Sequence, residues 1–305
     1  MSAPRASWFT DFWTTLAAVS GIGYLATAYS VSRWLTRTSR QEPTRPPETP
    51  GFICEDLECR TEDGLRLAGW LVTPPQPRAT IALFHGLRGH RGVMWNRIAF
   101  LANAGYRCVA FDHRGHGQSA GRWTSFGFHE RRDVAAVLDL INRRWPGQAR
   151  AALGISMGAA ALCFASGRAN DWHAIVLESM YHDLAKAFQT RVGSSYPAWF
   201  RRFSRGVVWM TERRLGLRLA ELAPIRHIGN LAPTPVLLLT GSDDPYAPPE
   251  DVQELFDKCL APRELSLVSG AGHEDVCEQG GPQYQKMILD FLERWLPPSL
   301  TLRAS

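Results

Sequence analysis

At 305 residues, with 45% hydrophobic and 21% charged side chains, the chain can bury a large core and matches neither a disordered nor a collagen-like composition. The net charge of +5 comes from 34 basic residues, of which only Lys186, Lys258 and Lys286 are lysine, leaving 34 − 3 = 31 arginines. Codon usage produces such a skew as readily as function does, and no strand-and-aromatic pattern of a nucleic-acid module accompanies it, so nucleic acid is not an expected partner.

The first forty residues read as a hydrophobic anchor segment. From Phe12 to Val31 no residue is charged, and twenty residues is the length a helix needs to cross a bilayer. Trp8, Phe9, Trp13 and Trp34 flank the run as interfacial aromatics do, although Thr, Ser and Gly dilute it. Arg33, Arg37, Arg40 and Arg45 follow it against a single preceding Arg5, which by the positive-inside rule leaves the bulk of the chain in the cytoplasm. The alternatives are a signal peptide cleaved near Ala26-Thr27-Ala28, with a secreted or periplasmic product, and an amphipathic or core helix. Residues 41–54 begin with a Pro-rich polar stretch and read as a linker.

One catalytic domain is expected over residues 55–298, with a short tail at 299–305. Leu57–Arg60 and Leu65–Val72, around Glu62-Asp63-Gly64, read as an antiparallel hairpin. Short apolar runs at 81–84, 107–112, 151–155, 175–177, 236–240 and 265–268 then alternate with helical periodicity at 130–144, 157–166 and 283–295. This alternation predicts an α/β fold, a mostly parallel twisted sheet with flanking helices. Between 177 and 236 the connection is too long for a plain loop. Residues 185–226 are read as a small helical cap carrying nine basic residues, from Lys186 to Arg226, against Glu212 and Glu221. The six cysteines, at 54, 59, 108, 163, 259 and 277, show no CxxC pair or metal-type spacing and are expected as free thiols.

The chemistry concentrates on Gly154-Ile155-Ser156-Met157-Gly158, a G-x-S-x-G pattern placed between an expected strand and an expected helix. A serine hydroxyl becomes a nucleophile only when a base takes its proton. Further on, the strand at 236–240 runs into Asp243 and Asp244, and the strand at 265–268 runs into a Gly-rich turn ending at His273. Both sit on loops at the carboxyl edge of the sheet, in the order Ser, acid, His. Asp244 is the expected acid, with Glu178 as substitute. The oxyanion donors are expected from the backbone N–H of Met157 and of Leu87, which follows His85-Gly86. His85 reads as a brace for that loop, and His90, His113 and His116 lack the helical spacing of a metal site; no metal or cofactor is expected.

Four segments carry a resemblance over about residues 55–296: His85-Gly86-Leu87-Arg88-Gly89, Phe111–Ser119 with its D-x-R-G-x-G-x-S loop, Leu153–Gly158, and Gly270-Ala271-Gly272-His273. They are similar to the bacterial membrane-anchored α/β-hydrolases and their serine-aminopeptidase-like relatives. The resemblance implies the α/β-hydrolase fold, Ser156, Asp244 and His273 as a triad, and an esterase-like activity. Glu178-Ser179-Met180 departs from the Asp-Ser-Pro more frequent in relatives. The expected activity is hydrolysis of a carboxylic ester or thioester, on a small-molecule or lipid-like acyl substrate, with the membrane contacted through residues 12–31. An aminopeptidase and a binding protein without turnover are the alternatives.

Overall fold

The computed structural model describes residues 7–44, 51–186 and 198–297. An eight-stranded sheet forms its centre, in the order β1-β2-β4-β3-β5-β6-β7-β8. The strands are β1 (Ile53–Arg60), β2 (Arg66–Thr73), β3 (Ala79–Phe84), β4 (Tyr106–Phe111), β5 (Arg150–Ile155), β6 (Ala174–Glu178), β7 (Val236–Gly241) and β8 (Arg263–Val268). The first two strands run antiparallel to each other, and β2 antiparallel to β4, whereas every pairing from β4 through β3, β5, β6 and β7 to β8 is parallel. Ile53 and Cys54 already pair with Thr73 and Val72 inside the stretch read as linker.

A period of two sorts the strand side chains onto the two faces of the sheet. Ala82 and Phe84 of β3, Ala152 of β5, and Ile175 and Leu177 of β6 enter one buried cluster. Ile81 and Leu83, Ala151 and Leu153, and Val176 enter the other. Helices cover both: α3 (Arg131–Arg144) and α4 (Met157–Phe164) lie on the first face, α2 (Trp95–Asn103) and α7 (Val276–Trp295) on the second. The last helix starts seven residues earlier than its periodicity predicts, because two helices join across Gly281, whose φ of 47° only glycine adopts freely. Two helices were not anticipated. Pro249–Lys258 (α6) carries its own signal, with Pro at the first position, Glu250 and Asp251 in the first turn, and Val252 and Leu255 buried three apart. Trp95–Asn103 hides because its inner face includes Arg97.

Ser7–Leu35 forms one long helix, α1. Among the described residues no helix is long and apolar enough to cross a membrane. The Thr, Ser and Gly residues that dilute the run are the reason. The lower half of α1 packs on Ala198–Leu215 (α5), the principal helix of the cap region. Tyr24 and Phe203 meet edge to face with centroids 5.7 Å apart. Thr211 Oγ1 donates to Ser32 Oγ at 3.0 Å, and the Arg214 guanidinium donates to Ser32 Oγ at 2.8 Å and to Thr36 Oγ1 at 3.1 Å. Of the expected cap at 185–226, residues 187–197 lie outside the described residues.

Helix α4 approaches the sheet closely because its first turn is small. A Cβ on Gly158 would collide with the carbonyls of Phe84 and His85, and one on Gly154 would lie 2.6 Å from the amide nitrogen of Ala159. Gly158→Ala therefore forces α4 away from β3 and costs about 1–3 kcal/mol. The expected readout is a fall of several degrees in Tm by calorimetry. Gly167→Ala, with open space around its Cα, leaves Tm within about one degree.

Candidate active site

Ser156 sits between β5 and α4 with φ 51° and ψ −110°, a conformation L-residues rarely hold. Three contacts keep it there. Its N–H donates to the carbonyl of Glu178 at 2.8 Å, its carbonyl accepts from Ala160 at 2.9 Å, and Gly154 and Gly158 admit the neighbouring backbone. The side chain points at His273, whose Nε2 lies 2.9 Å from Ser156 Oγ. His273 Nδ1 lies 2.9 and 2.8 Å from the two oxygens of Asp244. An ionised carboxylate only accepts, so Nδ1 carries the proton and Nε2 is left to accept from the serine hydroxyl.

Asp244 is 2% exposed. Burial alone would raise its pKa, but the hydrogen bond and charge of His273, with the N–H groups of Ala247 and Tyr246, outweigh that and hold the carboxyl below its ordinary range. Those two amides reach Asp244 Oδ1 at 2.9 and 2.8 Å. Asp243 points the other way, exposed, and accepts from its neighbour Ser242. The two loops are pressed together at Gly241, where a Cβ would collide with the carbonyl of Ala271. Glu178, the substitute acid, is engaged elsewhere: its carboxylate pairs with the Arg97 guanidinium and accepts from Tyr284 OH at 2.6 Å, all of it buried.

The Leu87 loop lies beside Ser156, since a Cβ on Gly86 would be 3.5 Å from Ser156 Cβ. Met157 N–H heads α4, where the helix dipole favours negative charge. The loop is braced by groups the sequence did not reveal as a set. Arg88, at φ 61°, donates its backbone N–H to His116 Nε2 at 3.2 Å. His116 Nδ1 in turn lies 3.0 Å from the carbonyl of Arg114, which fixes Nδ1 as the donor and Nε2 as the acceptor. His85 accepts the backbone N–H of His113 at 3.0 Å and lies 2.7 Å from the carbonyl of Gly86. Asp112 accepts Arg91 N–H at 2.6 Å and pairs with its guanidinium. Farther along, Glu130 accepts from Thr124, Ser125 and Gly127 and organises the turn before α3. Among the described residues no group of three His, Cys, Asp or Glu side chains is placed to hold a metal ion.

Residues 75–215 match the family described as serine aminopeptidase, S33. The chain is 27% identical over 237 residues to the uncharacterised Bacillus subtilis protein YqkD, covering 75% of this chain and 76% of that one. To the uncharacterised Escherichia coli protein YfhR it is 26% identical over 258 residues, 81% and 83% of the two chains. Among solved structures it superposes on the Pyrococcus furiosus esterase Pf2001 with a TM-score of 0.70 and 24% identity, over 85% of this chain and all of the other. Acetyl xylan esterase 1 from Thermoanaerobacterium superposes with a TM-score of 0.62 at 16% identity, over 90% and 92%.

The histidine bracing predicts an acid-sensitive site. Burial, above all, pushes His116 down from 6.5 to about 4, against the opposing charges of Glu130 and Asp133 and with the nearby His113. Because the folded value lies below the ordinary one, the unfolded chain takes up its proton first as pH falls. Stability is therefore full above pH 6.5 and is lost as pH falls toward 4, in the same direction as His85, which burial also holds neutral. Thermal melts from pH 7.5 to 4 should show Tm falling through this window. His116→Gln, which keeps an acceptor but does not titrate, should flatten part of that fall.

Proposed function

We propose that this member of the α/β-hydrolase superfamily is a serine esterase that cleaves a carboxylic ester or thioester through an acyl-enzyme on Ser156. The observation that carries the reading is His273, held between Ser156 Oγ and the Asp244 carboxylate with its tautomer already set. His273 Nε2 removes the hydroxyl proton as Ser156 Oγ attacks the carbonyl carbon. The carbonyl oxygen, now negative, is held by the N–H groups of Leu87 and Met157, each worth about 3 kcal/mol of barrier. Asp244 holds the imidazole in place and stabilises it while charged. His273 gives the proton to the departing alcohol or thiol, the carbonyl re-forms, and the acyl group remains on Ser156. Water then enters, His273 takes its proton, and the acid leaves as Ser156 regains its hydrogen. No step calls for a metal or cofactor.

Aminopeptidase action would require a carboxylate to hold the substrate's ammonium group. Glu178 is committed to Arg97 and Tyr284, Glu212 to the amide of Leu219, and Glu221 to the amide of Arg218. That favours esters over peptides, in keeping with the esterases among the structural neighbours. A fluorophosphonate probe should label the wild-type chain and leave Ser156→Ala unlabelled; equal labelling of both, or of neither, would refute the serine mechanism. p-Nitrophenyl esters should turn over faster than aminoacyl anilides, and the reverse order would favour the peptidase.

We also propose that α1 rests on a lipid surface. Trp13, Leu16, Val19, Ile22 and Leu25 are each 44–68% exposed, a row of apolar side chains that water solvates poorly. Arg33 and Arg37, both exposed, follow at the carboxyl end of the helix and suit anionic headgroups. Full-length protein should float with anionic vesicles, and Val19→Asp/Ile22→Asp should weaken that binding roughly tenfold. Absence of flotation with the wild type would dispose of the idea.

A further inference from the structure

Residues 36–41 leave α1 and run along the loop at 117–124, which reaches Met157 beside Ser156 through Thr124. The backbone N–H of Thr124 donates to Thr36 O at 3.1 Å, and that of Gly117 to Ser39 O at 3.0 Å. Arg40 reaches two more carbonyls of the same loop, Ser119 at 3.3 Å and Gly121. This segment and Arg88 enclose a cleft of about 450 Å³ lined by Trp34, Arg37, Thr38, Ser39, Arg40, Gln41 and Arg88. Three of its residues are arginines and none is acidic.

Three further observations bear on that charge. First, the arginines are exposed, and no described carboxylate pairs with Arg37, Arg40 or Arg88, whereas among the described residues fifteen other arginine and lysine contacts do find carboxylates. Second, Arg88 stands in the left-handed region at φ 61° and its guanidinium lies 5.3 Å from the Trp34 ring centroid. Stacking on a ring face leaves the in-plane N–H groups directed outward, the arrangement that binds an oxyanion in two-pronged fashion. Third, Arg88 is close to the chemistry. It lies two residues beyond Gly86, which abuts Ser156, so its Cα is within about 7 Å of the residue touching the nucleophile.

We infer that this cleft binds a phosphate group carried by the ester substrate, so that the chain acts on phosphorylated acyl esters. The inference rests on Ser156 being the nucleophile. Three guanidinium groups and two hydroxyl side chains, Thr38 and Ser39, match the charge and the several acceptor oxygens of a phosphate better than those of a single carboxylate. The phosphate contributes binding and orientation only; no bond to phosphorus is made or broken. It could be the headgroup of a single-chain lipid or part of a soluble metabolite-sized ester, and these share the chemistry read by the cleft.

The test uses the full-length protein and four substrates: butyryl glycerol 3-phosphate, butyryl glycerol, and oleoyl glycerol 3-phosphate and oleoyl glycerol in mixed micelles. The readout is the ratio of kcat/KM for phosphorylated over neutral ester. Wild type should favour the phosphorylated ester tenfold or more, and the ratio should fall by roughly tenfold in Arg37→Gln and further in Arg37→Gln/Arg88→Gln. Arg294→Gln, on α7 and outside the cleft, should leave the ratio as it is, and inorganic phosphate should inhibit in competition with the phosphorylated ester. Preference for the short phosphorylated ester identifies a soluble source, and preference confined to the oleoyl ester identifies a lipid headgroup; either supports the assignment. Equal use of phosphorylated and neutral esters by wild type, or a preference that survives both substitutions, overturns it. Fluorophosphonate labelling run on the same samples separates that outcome from failure of the serine mechanism itself, which would abolish labelling in wild type.

Discussion

Close packing of a helix against a strand, with no side chain between them, is the constraint on which the rest depends. Gly158 lies against the carbonyls of Phe84 and His85, so α4 can begin immediately after β5 and the turn between them must be abrupt. Abruptness places Ser156 at positive φ and turns its hydroxyl away from the sheet. The same contact fixes the end of β3, and with it the Gly86–Leu87 loop that passes beside the serine. One steric fact thus positions both the Ser156 hydroxyl and the Gly86–Leu87 loop beside it.

Buried polar networks hold the surrounding loops in place. Arg97, Glu178 and Tyr284 join α2, β6 and α7 on one side of the sheet, each buried partner satisfying another. The backbone carbonyl of Glu178 receives the Ser156 amide, so this network fixes the strand end that holds the turn at Ser156. On the opposite flank, His85, Asp112 and His116 secure the loop through neutral imidazoles and one buried ion pair. Removing one member of such a pair typically costs about 3–5 kcal/mol, because the remaining charge is left buried alone.

Much of this was legible because it is local. A serine between glycines, an aspartate at a strand end and a histidine after Gly270-Ala271-Gly272 each announce themselves within a few residues, and parallel strands bring such loops to one edge. The choice between Asp243 and Asp244 turned on loop position; in the structure Asp244 is buried beside His273 and Asp243 is exposed. Contacts between distant segments left no such mark. Nothing near Arg97 signals Glu178, 81 residues away, and nothing near His116 signals the amide of Arg88. The apolar run at 12–31 shows the same limit, because hydropathy reports dryness and not the neighbour that supplies it; here α5 covers part of the helix.

The segment at 36–41 gives the amino-terminal region a mechanical meaning. Its carbonyls supply acceptors for Thr124 and Gly117, amides of the loop that borders the site. Cutting the chain at residue 40 to obtain a more tractable protein would therefore do more than remove a greasy helix. It would cut into a wall of the arginine-lined cleft and free one end of a clamp whose other end is the loop itself. Any displacement of α1 is likewise passed through these hydrogen bonds to the loop at 117–124, whose Thr124 touches Met157 next to Ser156.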